Sequence, residues 1–292
     1  MKPQEEIAKI IKSIEAEIHE VSRLDTSTSE IAILAKGGLI KNFEFLKELC
    51  SNHPKNYFFL LSSLRGICED LISISYIKDN ISQEELKKLF EFNKAYTTSQ
   101  TLTKQFNFFK KFKPNQRVIH PKLVVKEDVF NETKSNLSES HIKRIAKENG
   151  IKNLPSVKDM AEKSDYDSLY EYIYYMTSAS VHFRLDNFTK LCWGEYDKNG
   201  EIKEFELSTE NQNNFSAEIC LCYGTFLFSE IASKTESILN LSEELMIKVK
   251  ELRKILDENL WPPFLNSEHL NLNSYKLLLG SILYDNGDEK ST

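Results

Sequence analysis

Two pairs of polar side chains on separate predicted helices could form a site for phosphate chemistry. Arg65 and Glu69 are four residues apart in one predicted helix, and Ser178 and His182 are four apart in another. Residues at this spacing share one face of a helix, so each pair presents its groups together. If the two helices are neighbours, an arginine, a carboxylate and a histidine meet in one polar pocket.

These residue types suit the chemistry of phosphodiesters. The guanidinium of Arg65 can bind two phosphate oxygens and stabilise the charge that grows on them. The imidazole of His182 can accept a proton from a ribose 2′-hydroxyl or donate one to the leaving oxygen. Glu69 would orient the histidine or hold Arg65 in place. The predicted catalytic set is Arg65, Glu69, Ser178 and His182, with no cofactor and no metal.

The same residues also fit a purely structural role, which their spacing taken alone favours. Arg65 and Glu69 would form an ion pair within one helix, and His182 would be a hydrogen-bonded core residue. A metal site at Glu69, Asp70 and His182 is a weaker alternative, because no second histidine lies at a ligand spacing. The sequence has neither the G-x-S-x-G of serine hydrolases nor a Gly-rich phosphate loop.

A second candidate site is a basic and aromatic stretch at residues 104–126. Lysine and arginine bind the phosphates of a nucleic-acid strand, and aromatic rings stack on its bases. The stretch contains no acidic residue, and its cations are Lys104, Lys110, Lys111, Lys113, Arg117, Lys122 and Lys126. Its interleaved aromatic residues are Phe106, Phe108, Phe109 and Phe112. Phenylalanines at helical spacing are usually core residues, so the prediction of RNA binding depends on the cations.

Composition limits the classes of protein to which the chain can belong. With 292 residues, 40% of them hydrophobic, the chain can bury a sizeable core. A net charge of −6 disfavours a purely non-specific nucleic-acid binder, so RNA binding requires a local basic patch. The five cysteines include no C-x-x-C pair and are expected to be reduced core residues of a cytoplasmic protein. The longest apolar run, ICLCYGTFLF, is too short to cross a bilayer, which predicts no membrane partner.

Apolar residues at helical spacing and few chain breaks predict an all-α, multi-helix bundle. A single helical domain is expected over residues 1–284, followed by a disordered tail at 285–292. The predicted helices span about 7–24, 28–51, 55–79, 81–112, 138–150, 156–164, 165–184, 211–239 and 242–259, with a last segment at 268–284. Asn199-Gly200 lies between two strand-like segments and predicts one β-hairpin near residues 190–207. The glycines Gly37-Gly38 inside a helix require a kink or a close helix contact as compensation.

The segments RGICEDLISISYI (65–77) and LYEYIYYMTSASVHFR (169–184) carry a family resemblance. Their R-x-x-x-E helix followed by an S-x-x-x-H helix resembles an uncharacterised family of helical bacterial proteins, itself similar to the HEPN superfamily. The resemblance covers about residues 30–235, with further helices expected at 240–284. It implies an HEPN-like helical bundle, often dimeric, in which Arg65, Glu69, Ser178 and His182 share one pocket.

The same resemblance implies action on RNA, as a metal-independent ribonuclease of a toxin–antitoxin or phage-defence system. HEPN nucleases typically have four to six residues between an arginine and a following histidine, and none of the six arginines here has a histidine at that spacing. Either the catalytic pair is divided between two helices, or the chain is a non-catalytic member. The alternative function is a helical subunit that binds a partner protein or forms a homodimer.

Overall fold

The structure, a computed structural model, is predominantly helical and confirms the all-α class. It describes residues 3–25, 28–51, 56–117, 147–148, 154–181, 192–196, 198 and 202–263. The longer described helices are α1 (Pro3–Ser13), α2 (Glu15–Ser22), α3 (Glu30–Leu49), α4 (Leu61–Asn80), α5 (Gln83–Phe112), α6 (Val157–Lys163), α7 (Asp167–Val181), α8 (Asn213–Leu239) and α9 (Glu243–Asp257). Single 3-10 turns at Tyr57–Leu60 and Thr209–Gln212 precede α4 and α8.

Two short strands lie between α7 and α8. Strand β1 (Cys192–Tyr196) pairs antiparallel with β2 (Ile202–Leu207), and the register shifts between Glu195 and Tyr196. The turn predicted at Asn199-Gly200 lies outside the described residues, so a type I′ connection stays a prediction. The segments predicted at 268–284 and 285–292, and most of the helix predicted at 138–150, also lie outside them.

The chain divides into two compact units. The first is drawn from Met1–Thr28, Ala32–Tyr76 and Val157–Thr292, and the second from Ser29–Ile31 and Ile77–Ser156. The single domain expected over residues 1–284 stays a prediction.

The core of the first unit is built around α8. Its Phe228 is fully buried and lies against the equally buried Phe43 of α3, with ring centroids 6.4 Å apart. Helix α9 covers another side of α8, where Arg253 binds Glu230 at 2.8 Å. The thiol of Cys220 is buried in the same helix, as predicted for a core cysteine.

Helix α8 is longer than its apolar sequence run suggests. It has 27 residues. Among the helices that the structure describes, α8 is the one that is long and apolar enough to cross a membrane. Its most apolar 18-residue window has a mean hydropathy of 1.3, and 61% of that window is buried by the rest of the protein. A central helix of a folded core has the same composition.

The helix predicted over about residues 7–24 is divided into α1 and α2 at Ile14. The backbone N–H of Ile14 still donates to the carbonyl of Ile10, and its carbonyl accepts from Ile18. Ile7, Ile14 and Ile18 are all buried. The apolar stripe therefore continues through the break, which explains why the sequence pattern does not reveal it.

The glycines of α3 and α8 allow helices to approach closely. A Cβ on Gly38 would lie 2.6 Å from Cδ1 of Ile74 on α4, so a close helix contact accounts for this residue. A Cβ on Gly224 of α8 would lie 2.8 Å from Cε1 of Phe45 on α3. By contrast, a Cβ on Gly37 would have nothing within 4 Å.

This difference predicts that a glycine-to-alanine substitution has opposite effects on the free energy of unfolding at Gly224 and at Gly37. Gly224→Ala is expected to lower the free energy of unfolding by about 1–3 kcal/mol, because the added methyl overfills the contact with Phe45. Gly37→Ala is expected to raise it by about 0.5–1 kcal/mol, because alanine is the better helix former and the position is open. Urea denaturation of both variants measures the two effects. Equal changes in both would contradict the close contact at Gly224.

The second unit contains α5. Ser82 and Glu85 form the predicted capping box: the Ser82 side chain accepts from the backbone N–H of Glu85, and the Glu85 side chain accepts from that of Ser82. Leu86 and Leu89 near the start of the helix are buried. Beyond Leu89, none of the described α5 side chains is buried. The described side chains in the second half of α5 are therefore exposed or half-buried.

Candidate functional site

Arg65 and Glu69 form a close ion pair on α4. The Nε of Arg65 donates to Oε1 of Glu69 at 2.8 Å, as the four-residue spacing on a helix predicts. The two side chains are 26% and 31% exposed, so the pair lies at the protein surface without being fully solvated. A ligand can therefore reach the guanidinium.

Tyr174 of α7 holds the same guanidinium from a second side. The Cζ of Arg65 lies 4.2 Å from the centroid of the Tyr174 ring, a cation–π distance. The Tyr170 ring lies one helical turn earlier, with its centroid 5.6 Å from that of Tyr174. The contact shows that α4 and α7 are neighbours at this point. We name Arg65, Glu69, Tyr170 and Tyr174 the arginine cluster.

The arginine cluster leaves one edge of the guanidinium unused. Its Nε is bound to Glu69, and its flat face covers Tyr174. Within the described residues, neither Nη group of Arg65 takes part in a hydrogen bond or an ion pair. An arginine edge with two free N–H donors matches two oxygens of a phosphate or carboxylate. The arrangement can therefore bind an anion without breaking the ion pair.

The charges of the cluster fix its protonation state. The hydrogen bond to Glu69 is the main cause that raises the pKa of Arg65, and the nearby charge of Glu69 adds to it. The pKa of Tyr170 is also raised, first by partial burial and then by the negative charge of Glu69. At neutral pH Arg65 is therefore a cation and Tyr170 a neutral hydroxyl, able to donate a hydrogen bond but unsuited to act as a base.

Ser178 is part of α7 but uses its hydroxyl within the helix. Its side chain is buried, and its Oγ donates to the backbone carbonyl of Tyr174 at 2.6 Å. Thr177 makes the same kind of bond to the carbonyl of Ile173 at 2.7 Å. Bonds of this type satisfy a buried hydroxyl locally. His182 lies outside the described residues, so its position relative to Ser178 and Arg65 stays a prediction.

Asp70, which the weaker alternative placed in a metal site, binds a lysine instead. Its Oδ2 lies 2.7 Å from Nζ of Lys41 on α3. Gly66 makes room for that lysine, since a Cβ there would lie 3.3 Å from the same Nζ. In the part of the chain that the structure describes, no group of three metal-binding side chains occurs. Asp70 therefore helps to join α3 and α4.

The basic stretch is partly described. Lys104, Lys110, Lys111, Lys113 and Arg117 are all exposed at the end of α5 and just after it, whereas Lys122 and Lys126 lie outside the described residues. The expectation that the phenylalanines are core residues is wrong for Phe108 and Phe112, which are 55% and 58% exposed. Helical spacing is the same for a buried and an exposed face, so the sequence alone does not separate the two cases.

Tyr174 contacts Arg65, and the sequence pattern does not single it out. Four tyrosines occur within six positions of α7, at 170, 172, 174 and 175. The four-residue spacing of Tyr170 and Tyr174 places these two on one face, but only the packing of α7 shows that this face meets Arg65. Tyr175, on the side of Ser178 by its spacing, is 59% exposed.

Comparison with protein families gives a match to a family whose function is unknown. No curated protein and no solved structure matches the chain. The match supports the resemblance to an uncharacterised family, and nothing in it connects the chain with the HEPN superfamily. Residues 60–201, just under half of the chain, match the model of a family of unknown function (DUF5677), and that segment contains Arg65, Glu69, Ser178 and His182.

Proposed function

We propose that this protein acts on RNA as an HEPN-like helical protein with an inserted β-hairpin, and that Arg65 binds a phosphate of the strand. The observation that carries the proposal is the held guanidinium, fixed by Glu69 on one side and Tyr174 on another with its Nη edge unused among the described residues. An arginine fixed in this way loses little conformational entropy when it binds an anion. The proposal assigns Glu69 to holding Arg65.

In this proposal the chemistry is that of a metal-independent ribonuclease. His182 moves the proton, taking it from a ribose 2′-hydroxyl or giving it to the leaving oxygen. Arg65 stabilises the charge that develops on the phosphate oxygens, and no cofactor is needed. Ser178 contributes its small size, since its hydroxyl is engaged with the carbonyl of Tyr174.

The cations of residues 104–126 supply affinity for the strand in this proposal. Each lysine or arginine that contacts a phosphate releases a counterion, which strengthens binding at low salt. Lys104, Lys110 and Lys111 are exposed on α5 and free to reach a ligand from solution. The net charge of −6 makes this local concentration of cations necessary for RNA binding.

A second function, a non-catalytic binding subunit, is favoured by a different observation. Arg65 and Glu69 lie on one helix and bind each other, and the hydroxyl of Ser178 is satisfied within α7. An ion pair and a serine that have only a structural role would make the same contacts. In this case the protein docks a partner protein or forms a homodimer without chemistry of its own.

The proposed setting follows from the proposed activity. An RNA-degrading helical protein of this kind fits a toxin–antitoxin or phage-defence system, in the cytoplasm and without a membrane partner. A homodimer would place two arginine clusters in one particle. Sedimentation of the purified protein tests the homodimer, and the genes beside its own test the setting.

Replacement of His182 by alanine tests the ribonuclease proposal. Purified protein is expected to degrade RNA in the presence of EDTA, and His182→Ala is expected to lower the rate by about 100-fold or more, because a general acid or base contributes at least this much. Gel analysis of a labelled single-stranded RNA measures both rates, and circular dichroism confirms that the variant is folded. His19→Ala is the matched control, since His19 is 57% exposed on α2 and is assigned no role.

Three outcomes separate the alternatives. Wild-type rates in the His182→Ala variant would remove His182 from the mechanism. Loss of activity in EDTA would favour a metal-assisted hydrolase. Protein that neither binds nor degrades RNA at low salt would leave the non-catalytic subunit as the function.

A further inference from the structure

We propose that Phe108 and Phe112 of α5 form a platform on which the bases of single-stranded RNA stack. The inference rests on the proposed function in one respect, since it takes RNA as the ligand. It goes further by naming the form of RNA and two residues that bind bases rather than phosphates. We call these two residues the phenylalanine platform.

The two rings of the platform are exposed together. Phe108 and Phe112 are 55% and 58% exposed, and their ring centroids lie 4.9 Å apart at an angle of 38°. They are four residues apart on α5, so both rings lie on one face of the helix. Single exposed apolar side chains are common on proteins, but two touching aromatic rings form a continuous patch.

The surroundings of the platform select an anionic ligand. Residues 92–126 contain no aspartate or glutamate. Lys111 lies with its Nζ 5.2 Å from the centroid of the Phe112 ring, and Lys110 and Lys113 are exposed beside it. An RNA strand whose phosphates bind these lysines would have its bases close to the two phenylalanine rings. Aromatic rings bordered by cations are what single-stranded nucleic acid requires.

The extent of the apolar surface favours bases over a lipid bilayer. Gln105 and Asn107, which are also exposed on this part of α5, are polar. The large exposed apolar side chains in the described part of α5 are Phe108 and Phe112. A helix that lies in a membrane surface presents a long apolar face, whereas two rings match the size of one or two bases.

The platform also favours single strands over duplexes. In double-stranded RNA the bases are stacked on each other and paired, so their flat faces are not available to a protein ring. Lysines alone would bind both forms through phosphate. A preference for single strands that depends on the rings is therefore the signature of the platform.

Fluorescence anisotropy with a labelled single-stranded RNA, and with the same RNA annealed to its complement, tests the inference on the full chain. The double variant Phe108→Ala/Phe112→Ala is expected to bind the single strand about 10- to 100-fold more weakly, as the loss of one or two stacked bases predicts. Binding to the duplex is expected to stay unchanged. Phe59→Ala is the matched control, since this phenylalanine is 62% exposed in the first unit, and it should bind as the wild type does.

Three further variants separate stacking from other contacts. Phe108→Trp/Phe112→Trp should retain wild-type affinity because the rings remain, whereas Phe108→Leu/Phe112→Leu should lose as much as the alanine variant. Lys110→Gln/Lys111→Gln should lower the slope of log affinity against log salt by about 1.4, which corresponds to two phosphate contacts on a single strand. Thermal denaturation confirms that each variant is folded.

Each remaining outcome overturns a different statement. Wild-type affinity of the alanine variant for single-stranded RNA would overturn the platform and leave RNA binding intact. Absence of RNA binding by the wild type at low salt would overturn the proposed function and the platform with it. If the alanine variant instead lost binding to phosphatidylserine vesicles while RNA binding was unchanged, the ligand of the two rings would be a lipid surface.

Discussion

Replacing Arg65 with lysine is expected to lower the turnover of RNA by about 100-fold or more, although the positive charge is kept. Loss of one donor to a developing oxyanion typically costs this much in catalytic rate. The guanidinium contacts Glu69 through Nε and the ring of Tyr174 through its flat face, and in the proposed function it also binds a phosphate at its Nη edge. The ammonium of lysine is a single point charge without a flat face or a second edge, so it cannot serve all three.

A second arginine in the protein provides a matched control for this substitution. Arg253 of α9 also binds a carboxylate at 2.8 Å, that of Glu230, and its Cζ lies 4.7 Å from the centroid of the Phe226 ring. It differs from Arg65 in binding its carboxylate through Nη1. Arg253→Lys should therefore cost similar stability and leave RNA turnover unchanged.

Steady-state kinetics and urea denaturation of the two variants separate a functional arginine from a structural one. The expected result is a fall in kcat/KM for Arg65→Lys alone, with comparable changes in the free energy of unfolding for both. Tyr174→Phe keeps the ring over the guanidinium and should change kcat/KM little. Should Arg65→Lys turn over RNA at the wild-type rate, Arg65 and Glu69 would be a structural ion pair, and the non-catalytic subunit would be the better account.

The positions of the helices could be predicted because local rules determine them. Apolar spacing gives α3 and α9 close to their observed bounds, and the capping box at Ser82 and Glu85 marks the start of α5. The ion pair between Arg65 and Glu69 follows from the same helical geometry. These features depend on residues close together in sequence, so the sequence alone contains them.

The parts that could not be predicted depend on packing between distant segments. Tyr172 and Tyr174 are neighbours in sequence, yet Tyr174 covers Arg65 whereas Tyr172 accepts a hydrogen bond from Tyr223 of α8 at 2.9 Å. Helical periodicity separates these faces but does not say which helix each one meets. In the same way, the spacing of Phe108 and Phe112 fits a buried face as well as an exposed one. Whether a helix face is exposed depends on whether another segment of the chain packs against it.

Replacing Phe228 with alanine is expected to lower the free energy of unfolding by about 3–5 kcal/mol. A buried phenylalanine loses its transfer free energy and leaves a cavity that its neighbours fill only in part. Phe228 is fully buried in the middle of α8, and its ring lies 6.4 Å from that of Phe43 on α3. Since α3 and α8 are both long helices of the first unit, the cavity would loosen the contact between them.

Phe112→Ala is the matched control, because it removes the same side chain from a position that is 58% exposed. It should change the free energy of unfolding by no more than about 0.5 kcal/mol, as expected for a surface substitution. Urea denaturation of both variants at neutral pH measures the difference. Similar losses in the two variants would mean that Phe112 is as well packed as Phe228. That result would contradict the solvent-exposed phenylalanine platform. A large loss confined to Phe228→Ala would show that α8 holds the first unit together while the end of α5 is left free for a ligand.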